Sequence, residues 1–311
     1  MACWSPHVRE GDNLMNSEKL KAWVQASRVP FFVATLVPLG LGGVVSNAAG
    51  YWDTMRWIVV LAACFLVHLC TNLANDYFDY VTGADSGDSI GGSRVLQEGK
   101  ITLSQLRQAM ILCYSLAFVC GLWIVWVSQL RWLAPVMLFS FFSSLYYTAP
   151  PVRYGYRGLG ELFVGINMGP VMVAGTAAVV SGQFILRAFW LSIPIGLMVA
   201  MILYYQSLSD IPEDEAVGKR TLAVRLGKAR AIWGMRAFFA GTLGSILVLV
   251  WQEQIHPVAL VTIGGVIPAY RIDRMISSAR DWKSLHNRGG AVRMFYLTIG
   301  LIMILTVAWL G

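Results

Sequence analysis

The chain has 311 residues, of which 57% are hydrophobic, 13% are charged and 30 are glycines. Soluble domains carry about 45–50% apolar residues with glycine included and about 25% charged ones, so a soluble globular protein is excluded, as is a disordered one. The net charge of +7 is assigned below to membrane topology and not to nucleic-acid binding.

At about 20 apolar residues per spanning helix, nine apolar runs are predicted, near 29–48, 57–75, 105–128, 132–149, 159–181, 188–206, 231–251, 255–270 and 294–310. The fold class is therefore all-α and polytopic. A polar N-terminal arm, 1–28, precedes the runs and lacks the apolar core of a cleavable signal, so the first run is expected to direct insertion. Residues 29–311 are expected to form a single membrane-embedded domain. Of the 24 Lys and Arg residues, 20 fall in the arm and in the loops after runs two, four, six and eight. Only Arg56, Arg131 and Arg187 fall on the other side, and Arg236 lies within run seven. Positive charge collects in cytoplasmic loops, so the N-terminus and those four loops are expected to be cytoplasmic and the C-terminus to lie opposite. Cys3, Cys64, Cys70, Cys113 and Cys120 follow no ligand spacing and read as small hydrophobes.

Two cytoplasmic loops, 76–104 and 207–230, are long and acidic. Together they hold nine of the 17 acidic residues. In the first, Asn72, Asp76 and Asp79 share a face on a continuing helix, with Asn75 beside them and Asp85 beyond Gly83. In the second, Gln206, Asp210 and Asp214 repeat the fourfold spacing, although Pro212 is expected to end or kink that helix. Lys219 and Arg220 follow at once, placed to meet phosphate. One such cluster reads as solvated charge. Two matched clusters on one side of a membrane read instead as an oxygen-only Mg²⁺ site that grips a diphosphate. The pairing, four runs apart, is a coarse internal repeat that builds one site from two halves.

Two further stretches are candidates. Tyr146 to Glu161 holds Tyr147, Arg153 and Tyr154, which suit a phosphate contact and a cation-stabilising aromatic wall, or alternatively an interfacial aromatic belt with positive-inside arginines. Arg94, in a glycine-bearing loop, is another phosphate candidate. His68 reads as a packing histidine, and the glycines and prolines of runs one and five as close-packing positions.

These residues together resemble the UbiA superfamily of intramembrane prenyltransferases, and within it the 1,4-dihydroxy-2-naphthoate branch. The resemblance runs from Arg28-Val-Pro30 to the last helix. It is carried by Asn72-Leu-Ala-Asn-Asp-Tyr-Phe-Asp79 with Gly83 and Asp85, Tyr147-Thr148, Tyr154-Gly-Tyr156 through Gly160, and Gly218-Lys-Arg-Thr through Gly227. The chain departs from the branch pattern at Gln206–Ser209 and at Glu161. With no targeting segment apparent, a prokaryotic inner membrane is expected; the resemblance implies a nine-helix bundle around a central cavity. It implies Asp76, Asp79, Asp210 and Asp214 as catalytic metal ligands, with Asn72 as a further ligand. Asn75, Asp85, Arg94, Tyr147, Arg153, Tyr154, Gln206, Lys219 and Arg220 would contact substrates. The partners it implies are a polyprenyl diphosphate, a small aromatic acceptor and the lipid bilayer, with Mg²⁺ as cofactor. The alternatives are a different acceptor or a prenyl-lipid-binding protein without chemistry.

Overall fold

A segment in lipid must satisfy its own backbone hydrogen bonds, and a helix does so without a partner. Every regular element among the described residues is accordingly helical. The computed structural model describes residues 8–85, 91–279 and 281–310, with side chains described from residue 17 onward. Cys3, His7, Asp88 and Arg280 lie outside the described residues.

Helix α1 (Val8–Ser27) carries the polar arm. It joins α2 (Val33–Ala48) through Arg28, whose φ of 52° is left-handed, and a short 3-10 turn. The two axes differ by 55°. Helix α3 (Thr54–Val81) starts at an Asp53 cap and packs along α4 (Leu103–Ser128), which starts at a Thr102–Gln105 capping box. Next come α5 (Leu133–Tyr146) and α6 (Gly160–Ile166). A π turn, Asn167–Val171, links α6 to α7 (Met172–Ser181), so that Gly160–Ser181 forms one span. Helices α8 (Leu186–Ser209), α9 (Ile211–Ala216) and α10 (Leu222–Leu226) carry the second acidic cluster. After α11 (Lys228–Trp251), a 3-10 stretch leads into α12 (Val266–Ser277), and another precedes α13 (Gly290–Leu310).

Among the described residues, six helices are long and apolar enough to cross a bilayer, or seven when the bent α1–α2 pair counts as one span. All nine predicted runs are helical, and the expected count of nine spans is not confirmed by length and composition among the described residues. Two runs fall short of that criterion for local reasons. Helix α5 has only 14 residues, short for a bilayer core of about 30 Å at 1.5 Å per residue. The run near 255–270 changes from 3-10 to α-helix and carries Arg271, Asp273 and Arg274 in its second part. The first acidic cluster also lies further inside a helix than the run boundaries suggest, because α3 continues to Val81 and carries Asp76 and Asp79 on its last turns.

Helix α8 is the buried axis of the bundle, packed against α2, α6, α11 and α13. Its approach to α6 and the π turn is backbone to backbone. A Cβ on Gly196 would lie 2.5 Å from the Gly165 carbonyl oxygen, and one on Gly169 would lie 2.7 Å from Gly196 Cα. Small residues permit such contacts where no hydrophobic force drives helices together. Gly42 does the same between α2 and α7, where a Cβ would lie 2.5 Å from the Val173 carbonyl. Gly175 differs from this set: it has open space around it and lines the central cavity.

Gly196→Val should therefore force α6 and α8 apart and lower stability by about 1–3 kcal/mol. A drop of several degrees in thermal unfolding in detergent would register it, and Gly244→Ala, with nothing within 4 Å, should cause no loss.

Candidate active site

The last turns of α3 place Asn72, Asp76 and Asp79 on one face, and all three are buried. Buried carboxylates need donors. Asp76 accepts a backbone hydrogen bond from Ser93 at 3.1 Å, a second from the Ser93 hydroxyl, and an ion pair from Arg28. Ser93 reaches it because Gly92 before it turns through a φ of 72°. A Cβ at Gly92 would stand 2.5 Å from Asp85 Oδ2 and 3.4 Å from Asp76 Oδ1, so both carboxylates crowd this bare backbone. Asp79 accepts from the Tyr156 hydroxyl at 2.5 Å and from Lys219 Nζ at 3.3 Å.

Lys219 joins the two halves. Its ammonium is also 3.7 Å from Asp214 Oδ1, while the Thr221 hydroxyl donates to Asp214 Oδ2 at 3.3 Å. The ammonium lies 4.7 Å from the centre of the Tyr156 ring, a cation–π contact. Burial opposes the charge on Lys219, but Asp79, Tyr156 and Asp214 outweigh it and hold the ammonium well above its usual range. Burial pushes the Asp214 carboxyl up to about 7. Burial, with Asp79 nearby, pushes Asp85 up to about 6. Asp210 is raised by burial as well, against a 2.9 Å hydrogen bond from the Ser209 hydroxyl.

The site therefore holds more carboxylate than the cations paired with it neutralise. An oxygen-only donor set in excess of its cations fits Mg²⁺ in chemistry. Among the described residues no three such groups converge on one point; the carboxylates are instead drawn toward Lys219, Arg28 and Ser93.

The remaining candidates separate. Asn72 donates to the Ser27 carbonyl at 3.0 Å, and Asn75 accepts from Thr148 at 3.2 Å. Gln206, Asp210 and Asp214 do not share a face: α8 ends at Ser209 and α9 restarts at Ile211, as Pro212 requires. Gln206 lines the cavity, while Asp214 turns to Lys219. Tyr147 and Tyr154 form an edge-on pair with ring centres 5.4 Å apart, and the Tyr154 hydroxyl donates to the Ser143 carbonyl at 2.7 Å. Arg94 pairs with Glu98 in its own loop at 3.7 Å. Arg153 and Arg220 are not brought onto the carboxylates. They line a separate open recess of about 440 Å³ with Arg157 and Arg225, of which Tyr156 is also a wall. Sequence reasoning missed the ion pair of Arg28 and the double donation of Ser93. A basic residue directly before a Val-Pro start to the first apolar run was the one available signal for Arg28.

Below the mouth lies a cavity of about 490 Å³ lined from α2 to α8. Arg28, Asn72, Asn75, Tyr147 and Gln206 lie on its wall together with apolar residues such as Val60, Leu133, Met137 and Met172. A cation-bearing acidic mouth beside an apolar cavity suits a ligand with an anionic head and an apolar body.

Fold and site together define an integral membrane protein of helical-bundle type whose chemistry sits at the helix ends. Residues 35–309 match the UbiA prenyltransferase family. A 1,4-dihydroxy-2-naphthoate octaprenyltransferase of Bacillus subtilis is 31% identical over 217 residues, 70% of this chain and 69% of that one. One of Mycobacterium tuberculosis is 32% identical over 271 residues, 85% of this chain and 88% of that one. The structure of a UbiA homolog from Archaeoglobus fulgidus bound to GPP and Mg²⁺ shares the fold, with a TM-score of 0.62 at 14% identity over 91% of this chain and 99% of that one. The chain belongs to the UbiA prenyltransferase family and is a membrane-bound prenyltransferase.

Gly92→Ala should damage this mouth selectively. Its Cβ meets two carboxylates, and the left-handed backbone adds about 1–2 kcal/mol of local strain. Prenyl transfer by the folded protein should fall at least tenfold, with a drop of a few degrees in unfolding temperature; unchanged kcat/KM would show that the Gly92 loop does not shape the site.

Proposed function

We propose that this enzyme transfers a polyprenyl group from a polyprenyl diphosphate to 1,4-dihydroxy-2-naphthoate, with loss of CO₂, to give demethylmenaquinol. The observation that carries the reading is the mouth itself, where Asp79 and Asp214, from the two Asp-rich segments, flank one ammonium at 3.3 and 3.7 Å. The naphthoate acceptor is supported by the relatives that carry that activity in their names.

Asp76, Asp79, Asp210 and Asp214, with Asn72, are the residues that would hold Mg²⁺. Bound there, the metal would neutralise the diphosphate and ease its departure. Lys219 and Arg28 supply donors to the diphosphate oxygens, while Arg94, Arg153 and Arg220, which stand apart from the carboxylates, act at longer range by attracting the anion. Asp85 and Asn75 border the same space. The allylic C–O bond breaks with its electron pair going to the diphosphate. The ring carbon that carries the carboxylate forms the new C–C bond, and the carboxylate leaves as CO₂, its bonding pair restoring the aromatic ring. Tyr147 and Tyr154 offer ring faces and edges at the cavity wall where the allylic cation develops, and the apolar lining keeps water from capturing it. Gln206 takes part in holding the acceptor.

The charge distribution supports an orientation with the N-terminus and the acidic loops in the cytoplasm and the C-terminus opposite, and the bacterial relatives support a prokaryotic inner membrane. On this reading residues 29–311 act as one catalytic domain.

The test is diphosphate release and product mass from purified protein in detergent, with geranylgeranyl diphosphate and Mg²⁺, with and without the naphthoate, and with EDTA. Release should depend on metal and rise with the naphthoate, and the product should be prenylated and decarboxylated. Asp76→Ala and Asp214→Ala should each abolish turnover in protein that remains monodisperse and helical. Full activity in either variant would contradict the proposal.

A further inference from the structure

His68 is half-buried in the membrane-spanning part of α3 and is a wall residue of the cavity. It stands eight residues before Asp76 on the same helix, about 12 Å deeper at 1.5 Å per residue. Thr71, Asn72 and Asn75 lie between them on the cavity wall. The three- and fourfold spacings make one polar stripe that runs down from the mouth and ends at His68; Cys64, Ala63 and Val60 continue the wall below it.

The imidazole is held from α2. The Thr35 hydroxyl lies 2.5 Å from Nδ1, and the Phe32 ring meets the imidazole edge-on with centres 5.4 Å apart. Thr35 is completely buried, and its hydroxyl has no other partner among the described residues. A buried hydroxyl proton left unpaired is costly. We assign the hydroxyl as the donor to Nδ1 on this ground, which puts the ring proton on Nε2. A doubly protonated ring would also carry a proton on Nε2, so either state makes this atom a donor. Nε2 has no hydrogen-bond partner among the described residues. It is also not sealed off, unlike the unpartnered Arg28 Nε, Ser140 Oγ, Asn167 Oδ1 and Thr176 Oγ1 on the same wall. A fixed N–H donor thus opens into a cavity that is otherwise largely apolar.

A prenyl tail has no atom that accepts a hydrogen bond, and its diphosphate belongs at the mouth. The oxygens of a hydroxylated aromatic acid are what such a donor can bind. We propose that His68, with its ring fixed by Thr35, is a specificity-determining contact for the aromatic acceptor, donating from Nε2 to a phenolic or carboxylate oxygen on the ring. This rests on the transfer reaction proposed above for the same cavity.

Three variants test it: His68→Leu removes the donor, His68→Gln keeps an N–H at similar reach, and Thr35→Val removes the hydroxyl while preserving volume. Steady-state kinetics with geranylgeranyl diphosphate and 1,4-dihydroxy-2-naphthoate should show the naphthoate KM rising about tenfold in His68→Leu, as loss of one hydrogen bond predicts. The KM for the diphosphate should not move. His68→Gln should restore most of the naphthoate affinity, and Thr35→Val should show a smaller rise. Calorimetric binding of the naphthoate to each variant, without turnover, should follow the same order. An unchanged naphthoate KM in His68→Leu, equal changes for both substrates, or no rescue by His68→Gln would overturn the proposal. His68-dependent naphthoate binding without any prenylated product would sink the transfer reaction and leave this contact standing. Product formation with naphthoate affinity indifferent to His68 would do the reverse.

Discussion

The ammonium of Lys219 stands between Asp79 at the end of α3 and Asp214 on α9, at 3.3 and 3.7 Å, and the rest of the mouth is organised around that contact. Carboxylates at the edge of a membrane repel one another and lose solvation, so they persist only with compensating charge and donors. That requirement explains why distant segments converge here. Arg28 closes on Asp76 from the junction of α1 and α2, Ser93 supplies two donors from the α3–α4 loop, and Tyr156 donates to Asp79 from the stretch before α6. The compensation is incomplete, as the raised Asp214 and Asp85 carboxyls show. A site with surplus carboxylate favours further cation, and a cation-filled mouth favours a polyanionic head group.

The same arrangement divides one substrate space into two chemistries. Charge sits at helix ends, where backbone and water can share it, and the cavity beneath is mostly apolar. The polar stripe on α3 crosses from one region to the other. Backbone contact between Gly196 and the Gly165–Gly169 segment keeps α8 close enough to the α6–α7 span for both to form the cavity wall. Packing and catalysis are thereby linked through the glycines of one helix pair.

Much of this was legible in the sequence because lipid imposes a simple rule. A segment that must satisfy its own backbone reads as a long apolar run, and all nine runs are helical. The i, i+4, i+7 placement of Asn72, Asp76 and Asp79 exposed their common face, and Pro212 announced the break between α8 and α9. Other features depended on tertiary packing and left little local trace. Composition does not reveal that α5 stops after 14 residues or that the 257–277 stretch begins as a 3-10 helix. Arg28 and Ser93 act on a carboxylate 48 and 17 residues away. Arg153 adopts a left-handed φ of 43° and lines the recess bounded by Tyr156, which no spacing rule anticipates. His68 read as a packing residue because Thr35, the partner that fixes it, lies on another helix.

The central claim is that the two acidic segments bind one diphosphate together. The most direct measurement is a double-mutant cycle of Asp79→Asn and Asp214→Asn on Mg²⁺-dependent binding of the non-cleavable geranylgeranyl thiodiphosphate. A shared site predicts strong non-additivity, with a coupling of about 1 kcal/mol or more and a double variant little worse than either single one. Independent, additive losses, or binding that persists in EDTA, would contradict the account.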